Sequence, residues 1–175
     1  MGVMNELIEA EAPEVIEGPD ITEARFAELA KGYEGRGKTE VEIDTGLNFV
    51  RLYAGVYEGR RLTNGIINVA KPWDVRVQWC LVGRLKDLIC GKWCVSVHFE
   101  SIGEGREFTL HYPEFHFDCH HECFYVRIPG RGLRPDDCST PYKVVVTVLY
   151  KTLCNKPGPI VGFVDFPVIQ FYHAA

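Results

Sequence analysis

No window of this 175-residue chain approaches the roughly 18 consecutive apolar residues that a membrane-spanning helix needs. Met1-Gly-Val-Met-Asn-Glu-Leu-Ile-Glu-Ala has neither a basic stretch nor an apolar run, so it does not read as a secretory signal. Glu6 stands where a myristoylation signal would place Ser or Thr. These absences set the expectation of a cytoplasmic protein with no membrane partner. The chain also lacks Gly-x-Ser-x-Gly, the Walker loop, Gly-x-Gly-x-x-Gly and His-Glu-x-x-His, and with them the common hydrolase, nucleotide and metalloprotease signatures. No internal repeat or low-complexity tract is visible.

Excess charge of one sign is missing from the body. Residues 1–40 hold ten acids and four bases, a net of −6, while the other 135 carry a net of +1 within the total of −5. A basic nucleic-acid-binding surface is therefore not expected. Residues 1–19, rich in Glu with Pro13, Gly18 and Pro19, read as an acidic arm. Asp20-Ile-Thr-Glu23 then caps a short helix over 20–32, in which Phe26, Leu29, Ala30 and Tyr33 repeat at helical spacing and Gly32 ends the run. Residues 20–175 read as one domain, a length that buries a full core.

What the chain does have is alternation. Val75, Val77, Trp79 and Leu81 share one face of an extended run, as do Trp93, Val95, Val97 and Phe99, and then Phe108, Leu110 and Tyr112. This pattern reads as a three-stranded antiparallel meander with an aromatic inner surface, leaving Arg76 and Gln78 on the solvent side. Asn64-Gly65 reads as a hairpin turn. About nine short strands punctuated by Gly and Pro predict a mainly β fold, an antiparallel β-sandwich with a closed barrel as the alternative.

Within that meander, one register sets Cys80 opposite Cys94 and Cys94 opposite His111, a row on the outer face with His98 two positions along. A slip of two residues keeps the face and breaks the row. Six potential ligands then crowd into His116-Phe-Asp118-Cys119-His120-His121-Glu-Cys123. Thiolate with imidazole is the usual zinc mixture, so Cys119, His121, Cys123 and His116 are the candidate metal ligands. On a continued strand Cys119 and Cys123 would lie about 13 Å apart, so a turn at His120-His121 is required. The weightier expectation is reduced, roleless thiols, and the seven cysteines cannot all pair within one chain.

Residues Arg127, Arg131 and Arg134, with Gly130 and Gly132 between them, could hold an anion. No catalytic residue stands out. The leading expectation is a non-enzymatic β-sandwich binding or assembly module for a protein or small-molecule partner, with homo-oligomerisation left open. The alternatives are a small Cys/His metal-binding protein or metalloenzyme, and a small-ligand carrier with an aromatic-lined cavity.

Overall fold

A computed structural model of the chain describes residues 38–43, 49–63, 65–82, 89–117, 123–130, 140–166 and 168–173. The acidic arm and the helix expected over 20–32 lie outside these residues. The strands are β1 (Lys38–Ile43), β2 (Phe49–Glu58), β3 (Arg61–Leu62), β4 (Ile66–Asn68), β5 (Trp73–Val82), β6 (Gly91–Ser101), β7 (Phe108–Phe117), β8 (Cys123–Pro129), β9 (Pro141–Thr152), β10 (Pro157–Asp165) and β11 (Ile169–Tyr172).

Among the described residues two sheets form, and neither closes into a barrel. The larger has seven strands: β6 lies between β7 and β9, and β9 leads on through β10 to β1 and through β11 to β4. The smaller runs β3-β2-β5-β8. Every pairing among the described residues is antiparallel except β4 with β11. The expected sandwich is the architecture found, with eleven strands described instead of about nine.

The expected faces are also found. Val75, Val77, Trp79 and Leu81 on β5, and Trp93, Val95, Val97 and Phe99 on β6, are all buried. Their partners differ from expectation. β5 pairs with β2 and β8, and β6 with β7 and β9, so β5 and β6 belong to opposite sheets and not to one hairpin. Eight residues separate β5 from β6, enough chain to cross the core. Period two is satisfied equally by strands that pair and by strands that face each other.

Asn64-Gly65 is a second correction. β3 pairs with β2 while β4 pairs with β11, so the strands on either side belong to different sheets and form no hairpin with each other. The tight hairpin lies one step earlier: Glu58 opposes Arg61 across Gly59-Arg60. Gly59 has φ 60° and Arg60 has no positive φ, the pattern of a type II′ turn, which demands glycine at its first central position.

Between the sheets the core is a continuous aromatic stack. Trp79 meets Trp93 edge-on, with ring centroids 5.5 Å apart. Phe124 stacks on Trp79 at 5.4 Å, and Phe117 stacks on Trp93 at 5.2 Å. At one end Gly130 lies so close to Trp73 that a Cβ there would fall 2.0 Å from the indole, which only glycine allows. Both Trp79 and Trp93 are fully buried. Replacing Trp93 by Ala should therefore cost about 3–5 kcal/mol in urea unfolding, through lost transfer energy and the cavity left behind. Glu100→Ala, on the exposed side of the same strand, should stay within about 0.5 kcal/mol.

Candidate functional site

The outer face of the four-stranded sheet is built by register. Opposed positions set Cys80 beside Cys123, Gln78 between Tyr53 and Tyr125, Arg76 between Gly55 and Arg127, and Asp74 between Tyr57 and Pro129. Such a face is ordinarily solvated, yet Asp74 is only 1% exposed. Burial of a carboxylate is costly unless cations and hydrogen bonds compensate it. Here both oxygens are engaged. Arg76 Nε donates to Oδ1 at 2.7 Å, and Arg127 donates to Oδ2 through Nε at 2.8 Å and Nη2 at 2.7 Å.

Arg76 is held on two further sides. Its guanidinium lies 4.1 Å from the centre of the Tyr57 ring and donates to the Gly59 carbonyl. Arg76 thus lies on the outer face, as the alternation predicts, and is engaged there by partners that the alternation does not reveal. Arg127 is different, since its side chain remains 53% exposed. Asp74 thus aims a fixed guanidinium outward, while burial raises the pKa of neighbouring Tyr125 and keeps its phenol neutral.

The pair continues into the β2–β3 turn. Gly59 N–H donates to the Pro72 carbonyl at 3.2 Å, and Lys71 pairs with Glu58 at 3.3 Å. An open groove of about 690 Å³ lies there, with Arg61, Lys71 and Glu58 as charged walls and Leu62, Ile66 and Pro72 as apolar ones. Arg60, Arg61, Lys71, Arg76 and Arg127 stand against Glu58 and Asp74, a local net of +3 in a chain of net −5.

The candidate metal residues are not brought together among the described residues. Cys123 forms a disulfide with Cys80, Cα to Cα 4.1 Å, so while the bond is intact it offers no thiolate to a metal. The pairing also corrects the expectation of reduced thiols throughout; Cys90, Cys94 and Cys154 are free. His116 is exposed on β7 opposite Lys92. Cys119 and His121 lie outside the described residues, as do Arg131 and Arg134. No group of three His, Cys, Asp or Glu side chains suited to a metal occurs among the described residues.

The expected Cys80–Cys94–His111 row is broken twice. Cys80 lies in the other sheet, and the β6–β7 register is slipped by two, so that His111 opposes Ser96. A bulge between Trp93 and Val95 accommodates Pro113. Cys94 Sγ donates to Glu114 Oε1 at 3.2 Å, and Lys151 pairs with the same oxygen. Burial and then Glu114 push the Cys94 thiol up, which keeps it protonated and a poor nucleophile. Ser96 Oγ meets His111 Nδ1 at 3.0 Å, but no carboxylate bonds His111 among the described residues, so the third member of a hydrolytic triad is missing there.

No protein-family model matches this chain, and no curated protein matches it. The buried Asp74 was the residue least accessible to sequence reasoning. Its only signal is an acid and two arginines at positions of one parity, on strands whose pairing the sequence leaves open. Asp74→Ala should cost about 1–3 kcal/mol in denaturant unfolding, as three charge-assisted hydrogen bonds from two arginines are lost. Arg127→Ala should cost about 1–3 kcal/mol as well, because it leaves the buried Oδ2 of Asp74 without its two donors.

Proposed function

We propose that the protein is a non-enzymatic β-sandwich binding module that takes an acidic, extended peptide segment in the basic groove beside the β2–β3 turn. The observation that carries this reading is Asp74, a buried carboxylate on an outer sheet face that fixes two arginines and leaves one of them exposed. Fixing a guanidinium before a ligand arrives lowers the ordering cost of binding. Arg76 and Arg127 flank the groove and do not line it; Arg61 and Lys71 supply the positive charge within it, and Leu62, Ile66 and Pro72 supply apolar contact. That mixture suits a peptide with acidic residues around an apolar anchor better than a nucleic acid. A nucleic acid would favour stacking platforms, and Tyr57 is already covered by Arg76.

The interior supports surface binding over a carrier function, since the tryptophans expected to line a cavity pack against one another and against phenylalanines. The Cys80–Cys123 disulfide favours an oxidising compartment over the cytoplasm expected from the sequence. Among the described residues no helix is long and apolar enough to cross a membrane.

Fluorescence anisotropy with a labelled Glu/Asp-rich peptide containing one leucine tests the reading. Binding should weaken as salt rises, and the double variant Arg61→Glu, Lys71→Glu should weaken it at least tenfold, about 1.4 kcal/mol. Equal binding of a neutral peptide, an unaffected double variant, or tighter binding of an oligonucleotide of equal charge would each overturn it.

A further inference from the structure

The outer face of the larger sheet carries a separate arrangement that the proposed peptide groove does not use. His98 on β6 opposes Thr109 on β7, and His111 on β7 opposes Ser96 on β6. The two histidines are therefore diagonal neighbours on one face. Diagonal residues of an antiparallel pair have Cβ atoms somewhat less than about 7–8 Å apart, within reach of long side chains.

Each ring is also oriented. His98 Nδ1 lies 3.2 Å from Thr109 Oγ1, and His111 Nδ1 lies 3.0 Å from Ser96 Oγ. In a neutral imidazole whose Nδ1–H donates to a hydroxyl oxygen, the lone pair sits on Nε2. This is how metal-ligating histidines are set up, with one nitrogen held by the protein and the other presented to the ion. A single hydroxyl on the facing strand lies within hydrogen-bond reach of Nδ1 of each ring, so the arrangement is a matched pair.

We propose that His98 and His111 form a two-imidazole site for a later first-row divalent cation on the outer face of the β6–β7 hairpin. Each histidine would give Nε2, and water would fill the remaining positions. Two nitrogen ligands with open positions suit Ni(II) or Cu(II) better than a closed tetrahedral zinc site. His98 is half-buried on β6 and His111 is exposed on β7. Glu100 lies two residues along the same strand and faces Lys143 across the β6–β9 ladder. The site shares no residue with the Cys119, His121, Cys123 and His116 set expected from the sequence.

Titration of the full chain with Ni(II), followed by histidine side-chain NMR, tests the proposal with thermal midpoints as the folding control. Paramagnetic broadening should begin at His98 and His111. His98→Gln and His111→Gln should each reduce affinity at least tenfold with little change in midpoint, because both side chains lie on the outer face. His116→Gln should leave binding unchanged. Broadening that begins at any other histidine, undiminished affinity in either variant of the pair, or loss of binding with His116→Gln would overturn the site.

Discussion

The fold depends on one contact across the core, the edge-to-face meeting of Trp79 from the small sheet with Trp93 from the large one. Aromatic pairs in this geometry contribute beyond the area they bury. Around these two rings Phe117, Phe124 and Tyr150 complete a cluster drawn from both sheets. Neither indole N–H has a hydrogen-bond partner among the described residues. An N–H directed at a neighbouring ring recovers only part of that loss, so dispersion and apolar burial must outweigh it.

That contact settles which strands can be neighbours. With β5 and β6 facing each other across the core, β5 takes its second partner from β8, and every outer-face pairing follows. Arg76 comes beside Arg127, Cys80 beside Cys123, and Asp74 next to both arginines. Two arginines side by side on a sheet would repel; a dehydrated carboxylate between them turns repulsion into a fixed charge array. The same sheet thus has an inner face held by rings and an outer face held by ions.

The alternation of Val75, Val77, Trp79 and Leu81 made the buried face readable, because side chains of a strand alternate whatever it pairs with. Pairing partners were not readable. Alternation cannot separate a hairpin from two strands in facing sheets, and the residues between Val82 and Gly91 carry no turn signature strong enough to decide. Asn64-Gly65 misled for a related reason: the dipeptide is a turn signal in the sequence, while strand partners decide whether a turn makes a hairpin. The cysteine row failed with the register it assumed, and the engagement of Arg76 stayed hidden because its partner Asp74 is itself polar. The outward placing of His98 and His111 did follow from parity, and their hydroxyl partners emerged only with the two-residue slip.

The central claim is that β5 pairs with β8 and faces β6, since both the core and the basic corner follow from it. Peptide mapping without reductant, after blocking free thiols, addresses it directly. Trypsin should release peptide 77–84 joined to peptide 107–127, with fragmentation placing the bridge between Cys80 and Cys123. A bridge from Cys80 to Cys94 in peptide 93–106, or to Cys119, would contradict the strand order and the charge array built on it.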